Sequence, residues 1–188
     1  MPLFDILILA CWVVFAAYWL VSAFTAKRNL KNGAWWYGVY FRLATAVVIF
    51  ILLKAGSYTS FHFVNFIPKN PVINGIGVIL AAGGIAFAVW ARVHLGRNWG
   101  MPMSLKENPE LVTTGPYAFV RHPIYTGVLT AMLGSSFVAG LWWLVFFVFF
   151  FVYFFFAART EEKVMIAEFP HEYPAYKART KMLIPFVL

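Results

Sequence analysis

The chain has 188 residues, of which 62% are hydrophobic and only 12% are charged. Soluble globular domains carry roughly 25% charged residues, so this composition excludes a soluble enzyme, a disordered chain and a disulfide-stabilised secreted domain. Cys11 is the single cysteine, so an internal disulfide is impossible. The net charge of +8 comes from bases that flank apolar stretches, a pattern that favours membrane topology over nucleic-acid binding.

Three apolar stretches in the first half of the chain are predicted to be membrane spans, at residues 6–24, 39–53 and 72–93. The first has no basic region before it and no cleavage site after it, so it is interpreted as a retained span and not as a signal peptide. Glycines give the third span a small-residue face that favours close helix packing. These glycines are Gly75, Gly77, Gly83 and Gly84.

The second half of the chain begins with a polar loop, predicted at residues 94–121. Loops of this length without regular structure are uncommon unless they are functional or disordered. A nearly uncharged stretch follows and is too long for one span, so it is predicted to form a helical hairpin with arms at residues 124–138 and 141–158. The tail after residue 158 is amphiphilic and is predicted to be helical to about Phe169.

The distribution of bases predicts the orientation. Thirteen of the 15 Lys and Arg residues lie in the first connection, the third connection and the tail, when Arg42 and Arg92 at the adjoining span ends are counted with them. The positive-inside rule then places the N-terminus outside and the C-terminus in the cytoplasm. The expected fold is an all-α integral membrane protein of five transmembrane helices, with a cytoplasmic polar loop and C-terminal tail.

The entry of the fourth span carries the first group of candidate functional residues. Arg121 and His122 precede Pro123, which suits the first turn of a helix. His122 and Tyr125 are three residues apart and are therefore expected on one helical face. The positive end of the helix dipole would suit a carboxylate there. The alternative is an interfacial belt of Arg, His and Tyr that only anchors the span.

A pair of acidic residues, Glu161 and Glu162, follows the fifth span. Carboxylates there could hold a cation, or the hydroxyl and amino groups of a ligand. The alternative is a surface ion pair at helical spacing, such as Arg159 with Glu162. No metal site is predicted, because the histidines and the cysteine lack the spacing of metal ligands.

Several short motifs occur in a fixed order in the second half of the chain. They are Leu95-Gly-Arg-Asn-Trp99, Leu111-Val112, Gly115-Pro-Tyr117, Arg121-His-Pro-Ile-Tyr125-Thr-Gly127, Glu161-Glu162, Phe169, Glu172-Tyr173 and Tyr176. Together they resemble the isoprenylcysteine carboxyl methyltransferase family, which belongs with the phospholipid N-methyltransferases. The resemblance covers about half of the chain, and it divides the sequence into three N-terminal spans (1–93) and a cofactor-binding catalytic region (94–188).

The resemblance implies that S-adenosylmethionine is the methyl donor, bound on the cytoplasmic side. Backbone groups of Pro109, Glu110, Leu111 and Val112 would contact this cofactor. The remaining cofactor-binding positions implied are Tyr117, His122, Pro123, Ile124, Tyr125 and Glu161. The catalytic residues predicted are Arg121, His122, Arg159 and Glu162.

Three positions depart from the family pattern. Pro109 stands where carboxyl methyltransferases carry a histidine, and Pro170 stands where they carry a glycine. Ala157 replaces an arginine that the family uses near the substrate carboxylate, and Arg159 lies two residues further on. The substitution at Ala157 bears on the identity of the substrate more than on the cofactor.

The expected substrate is lipophilic, with its reactive head at the interface and its tail in the bilayer. A prenylcysteine-like carboxylate is favoured, because a carboxylate is ionised at neutral pH and needs no base. Arg159 could hold that carboxylate through two hydrogen bonds. A phospholipid amine is the second hypothesis and would require a base such as His122 or Glu162. A sterol-type membrane reductase and a non-enzymatic membrane adaptor remain further alternatives.

Overall fold

A computed structural model describes residues 2–23, 70–96, 110–185 and 187. The second predicted span, at residues 39–53, lies outside the described residues. Within the described ranges the chain is helical, as predicted. Its elements are α1 (Pro2–Ala23), α2 (Pro71–Leu95), a short 3-10 helix (Gly115–Ala118), α3 (Pro123–Ala139), α4 (Leu141–Glu168) and α5 (Glu172–Arg179).

Three of these helices are long and apolar enough to cross a membrane, namely the segments Leu3–Ser22, Pro71–Leu95 and Trp143–Glu168. The protein is therefore an integral membrane protein. Helix α3 has 17 residues, which corresponds to a length of about 26 Å and is shorter than a bilayer core of ~30 Å. It is also largely buried, with ten residues of its length inside the protein.

The helix boundaries differ from the predicted spans in three places. Helix α1 begins at Pro2 and not at residue 6, since proline and the acidic Asp5 both suit a first helical turn. His94, predicted to open the polar loop, belongs to the last turn of α2. The predicted fifth span and the helical start of the tail form one continuous helix of 28 residues.

Helices α2 and α3 pack with their backbones in direct contact. A Cβ atom added to Gly84 would lie 2.5 Å from the carbonyl oxygen of Gly127, and one added to Gly77 would lie 2.6 Å from that of Gly134. Cβ atoms essentially never approach other atoms so closely. Each helix therefore presents two glycines, spaced by seven residues or two turns, to the other.

The predicted small-residue face of α2 is confirmed at two of its four glycines. Gly77 and Gly84 lie in the interface with α3, whereas an added Cβ at Gly75 or at Gly83 would have no described atom within 4 Å. Two helical turns carry the chain back to the same face after seven residues. The spacing from Gly77 to Gly84 meets this condition, and the other two glycines point away from α3.

The turn between α3 and α4 is made by Gly140, whose φ of +91° is one that residues with a side chain rarely adopt. The two helices form the predicted hairpin. Helix α1 packs beside it, because the indole Nε1 of Trp12 donates a hydrogen bond of 3.0 Å to Ser135 of α3. The same indole stacks on Trp143 of α4, with ring centroids 5.1 Å apart.

Candidate active site

Aromatic rings form a stack where α3 begins beside the lower half of α4. The imidazole of His122 lies parallel to the ring of Tyr125, with centroids 5.5 Å apart and an interplanar angle of 4°. Tyr125 in turn stacks on Phe154 at 4.4 Å and 8°. The prediction that His122 and Tyr125 share one helical face is confirmed. The stack fixes the direction of both polar groups.

These two polar groups converge on Glu161 of α4. The hydroxyl of Tyr125 donates a hydrogen bond of 2.5 Å to Oε1 of Glu161. The second carboxylate oxygen, Oε2, lies 3.3 Å from Nδ1 of His122. The side chain of Glu161 keeps 22% of its surface exposed. A carboxylate held at both oxygens and still partly open can accept further hydrogen bonds from a ligand.

The neighbouring Glu162 is in a different environment. Its side chain is 5% exposed, and it forms ion pairs of 2.6 Å with Nε of Arg121 and with Nζ of Lys177. The predicted alternative, an ion pair between Arg159 and Glu162, is not what the structure contains. The guanidinium of Arg159 lies instead over the ring of Phe155, 4.5 Å from its centroid. Glu162 is thus fully engaged by other cations.

His122 lies between the two carboxylates. Its Nε2 atom is buried, is 3.7 Å from Oε1 of Glu162 and has no hydrogen-bond partner among the described residues. Burial alone would lower the pKa of His122, but its interactions with Glu161 and Glu162 outweigh burial and raise the pKa above 6.5. The imidazole therefore stays protonated to a higher pH than an ordinary histidine.

Main-chain pairing joins the tail to the start of α3. The backbone N–H of Arg121 donates to the carbonyl of Lys181 at 2.8 Å, and that of His122 donates to the carbonyl of Met182 at 3.1 Å. The guanidinium of Arg121 also donates to the carbonyl of Thr180. The tail thus holds the segment that leads into α3.

The 3-10 helix before α3 is held by a second set of contacts. Its Gly115, at φ +60°, packs so closely under the ring of His94 that an added Cβ would lie 2.8 Å from that ring. The hydroxyl of Tyr176 donates a hydrogen bond of 2.7 Å to the carbonyl of Tyr117. Burial raises the pKa of Tyr176 to about 12 and raises the pKa of Tyr117 as well. Both hydroxyls are protonated at neutral pH.

Comparison with known proteins gives this arrangement a context. Residues 73–172 match the family model described as phospholipid methyltransferase. That stretch covers more than half of the chain.

The chain belongs to the phospholipid methyltransferase family. It is 31% identical over 101 residues to the protein-S-isoprenylcysteine O-methyltransferase of Schizosaccharomyces pombe, a stretch covering 52% of this chain and 43% of that protein. It is 33% identical over 119 residues to the cobalt-zinc-cadmium resistance protein CzcN of Cupriavidus metallidurans, covering 62% of this chain and 50% of that protein. The chain therefore matches about half the length of these relatives, and the predicted family resemblance is confirmed.

Membership in the phospholipid methyltransferase family implies S-adenosylmethionine as methyl donor in general, and the donor set fits this molecule. Glu161 offers an open carboxylate for ribose hydroxyls or an ammonium group. The backbone groups of Leu111 and Val112 make no hydrogen bond with any other described residue. They remain available for the backbone contacts that the sequence predicts. Pro109, also predicted to contact the cofactor, lies outside the described residues.

The remaining predicted residues divide between two faces. Pro123 is buried at the start of α3, Ile124 is half-buried beside it, and Glu110 is exposed. Arg159 lines a pocket together with Arg121 and Glu162. Glu161 is not among the residues that line this pocket. Of the predicted catalytic residues, Arg121, Arg159 and Glu162 line this pocket, and His122 lies between Glu161 and Glu162.

The sequence analysis missed three residues that complete the site. Lys177 pairs with Glu162, and Tyr176 supports Tyr117. Thr126 donates through its hydroxyl to the carbonyl of Leu183 at 2.6 Å, adding a third link between α3 and the tail. Of the three, Tyr176 and Thr126 carried a signal, since both belong to the motifs that resemble the family, and Lys177 carried none.

Proposed function

We propose that this protein is a membrane methyltransferase that uses S-adenosylmethionine to methylate a lipophilic substrate, with a prenylcysteine-like carboxylate as the favoured acceptor. The observation that carries the proposal is Glu161, held by Tyr125 and His122 and still partly open to a ligand. This geometry supports the cofactor-binding roles predicted for the three residues.

When bound, S-adenosylmethionine supplies an electrophilic methyl group that a nucleophile takes by in-line displacement. Because the leaving group needs no activation, the protein contributes orientation and a site from which water is excluded. Glu161 would fix the cofactor by accepting hydrogen bonds, and the peptide groups of Leu111 and Val112 would hold it from the polar loop. Tyr125 keeps the Glu161 carboxylate in place, with its own ring fixed between His122 and Phe154.

The charges around His122 support a carboxylate acceptor over an amine. An amine must lose a proton before it can attack, so it requires a base within reach. The raised pKa of His122 leaves less of it in the neutral form that can accept a proton, and Glu162 is engaged by Arg121 and Lys177. A carboxylate is ionised without help. We propose Arg159, exposed at the end of the apolar part of α4, as the group that holds it.

Phospholipid amine methylation is the second candidate function, and the matched family model favours it by its own description. Membranes containing the protein would be incubated with radiolabelled S-adenosylmethionine and either a prenylcysteine or a phosphatidylethanolamine. Counts that base treatment releases as a methyl ester support the carboxylate. Base-stable counts in the lipid fraction would overturn it in favour of the amine.

Cofactor binding is tested separately by calorimetric titration of the purified protein with S-adenosylmethionine. We expect a saturable heat with one molecule bound per chain. Adenosine triphosphate serves as a control, because it shares the adenosine but lacks the amino acid and sulfonium parts. The absence of both a heat and a thermal shift at millimolar S-adenosylmethionine would reject the methyltransferase proposal.

We also propose that the site faces the cytoplasm. The distribution of bases supports this orientation through the positive-inside rule. A Lys69→Cys variant, with Cys11→Ser removing the native thiol, should react with a membrane-impermeant maleimide from outside the cell. Reaction from the cytoplasmic side alone would contradict the proposed five-span topology.

A further inference from the structure

An open pocket of about 640 Å³ lies between the lower part of α4 and the tail. Among the described residues that line it, one is acidic, Glu162. The basic residues that line it are Arg121, Arg159, Lys163, Lys177, Arg179 and Lys181. The excess of positive charge is large for a single pocket and attracts anions.

Three of these bases have no role in the chemistry proposed above. Arg121 and Lys177 pair with Glu162, and Arg159 is assigned to the acceptor. The three that remain are Lys163, Arg179 and Lys181. Within the described part of the chain no carboxylate pairs with any of them, and Arg179 only lies over the ring of Tyr176, 5.9 Å from its centroid. Their charges are available to a ligand.

The position of the pocket along α4 indicates where that ligand comes from. Residues 141–158 of α4 are uncharged, and Arg159 is the first charged side chain after them. Phe155, one turn before Arg159, lines the pocket together with Ile166 and Met182. The pocket therefore has apolar residues on one part of its surface and basic residues on another. It lies where α4 leaves the bilayer core. This is the depth of lipid headgroups.

We propose that this pocket binds a phosphate group, supplied by the headgroup of an anionic phospholipid in the adjacent leaflet. A phosphate offers several charged oxygens to bases that approach from different elements, here α4, α5 and the tail. Basic pockets beside membrane helices recognise anionic headgroups by these interactions. Phe155 and Ile166 provide the apolar surface along which an acyl chain would lie.

The pocket is separate from the proposed cofactor site, and it shares Arg159 with the proposed acceptor site. Glu161, Tyr125 and the peptide groups of residues 111–112 are not among the residues that line the pocket. Binding of the phosphate would therefore persist in a protein that fails to bind S-adenosylmethionine. Titrations carried out without the methyl donor distinguish failure of this proposal from failure of the proposed function.

The test uses the full chain in a zwitterionic detergent and calorimetric titration with dihexanoyl phosphatidic acid. The wild type should bind one molecule per chain, at least about tenfold more tightly than dihexanoyl phosphatidylcholine. The double variant Lys163→Gln/Lys181→Gln should weaken binding of phosphatidic acid by about tenfold or more. Both lysines are exposed, so the variant should fold.

A matched control separates a specific site from general attraction of anions. The variant Pro170→Glu/His171→Glu lowers the net charge by the same two units, at exposed positions between α4 and α5 that do not line the pocket and are at least seven residues from Lys163 and from Arg179. It should keep the affinity for phosphatidic acid within about twofold of the wild type, as expected when charges lie outside the site. A second variant, Lys163→Arg/Lys181→Arg, should retain binding because it keeps both charges.

A titration with inorganic phosphate identifies the source of the phosphate. Binding at least about tenfold weaker than that of phosphatidic acid assigns the site to a lipid, because the apolar part of the pocket surface then contributes. Equal affinity assigns it to free phosphate. Equal weakening by the two charge-lowering variants, or no preference for phosphatidic acid over phosphatidylcholine, would overturn the proposal.

Discussion

Glu161 and Glu162 are adjacent in sequence and lie on different sides of α4. Glu161 faces Tyr125 and His122 and keeps 22% of its side chain exposed. Glu162 is buried against Arg121 and Lys177 and keeps 5% exposed. The comparison shows that two neighbouring carboxyl groups on one helix differ in burial and in pairing. We therefore expect Glu162 to support the structure, and we propose Glu161 as the carboxylate that binds a ligand.

Stability should respond most strongly to a change at Glu162. The substitution Glu162→Gln leaves Arg121 and Lys177 without a charged partner, and breaking a buried ion pair typically costs about 3–5 kcal/mol. Unfolding followed by circular dichroism in detergent would measure the loss. Glu161→Gln is the control, and it should cost less than about 1 kcal/mol because Tyr125 can still donate to an amide oxygen. Equal losses would contradict the division between the two carboxylates.

Ligand binding should respond in the opposite way. Glu161→Gln removes the charged acceptor that we assign to the cofactor, and the dissociation constant for S-adenosylmethionine should rise at least about tenfold. Glu168→Gln, on the same helix and exposed, is the matched control and should leave the constant unchanged. Calorimetric titration measures both. A wild-type constant in Glu161→Gln would remove this residue from the cofactor site.

A change in the position of α3 should affect both the stability of the protein and the binding of the cofactor. Gly84→Ala places a methyl group against the backbone of Gly127 and should cost about 1–3 kcal/mol through overpacking. It should also weaken cofactor binding, because α3 carries His122 and Tyr125. Gly83→Ala, where the added methyl group meets no described atom within 4 Å, should leave both properties intact. If the two alanine variants behave alike, the packing of α2 on α3 does not position the site.

The smallest expected effect is a pH dependence of the stability, which arises because Glu161 and Glu162 both interact with His122. Its pKa in the folded protein is raised, so protonated His122 stabilises the fold. This contribution is complete below about pH 6.5, where the unfolded histidine is also charged, and it is lost as the pH rises through the folded pKa.

The pH effect is measured as the difference in unfolding midpoint between the wild type and His122→Gln across the range above pH 6.5. The difference should shrink as the pH rises. A constant difference would show that the charge of His122 does not contribute. Repeating the series in Glu161→Gln, which removes one of the two facing carboxylates, should reduce the dependence.

The sequence predicted those features of the fold that depend on local patterns. Apolar length located α2, α3 and α4 to within a few residues, and Gly140 marked the turn of the hairpin. The three-residue spacing of His122 and Tyr125 placed them on one face, which their stacking confirms. These predictions succeeded because they require only the helical period and the length of a membrane span.

Other features depend on which helices are neighbours, and a single sequence does not contain that information. The spacing of Gly77 and Gly84 is visible in the sequence, but their role appears only with Gly127 and Gly134 opposite them. Glu161 and Glu162 differ in their surroundings partly because Lys177, on a different helix, forms an ion pair with Glu162. Their roles in binding and catalysis stay predictions.

The pairing of the tail with the start of α3 also determines when the site can form during synthesis. Arg121 finds one of its acceptors in Thr180, which is 59 residues later in the chain. At about 5–20 residues per second, the ribosome needs ~3–12 s to make that segment. Through that interval the nascent chain carries Arg121 and His122 at the membrane boundary without the carbonyl groups that hold them.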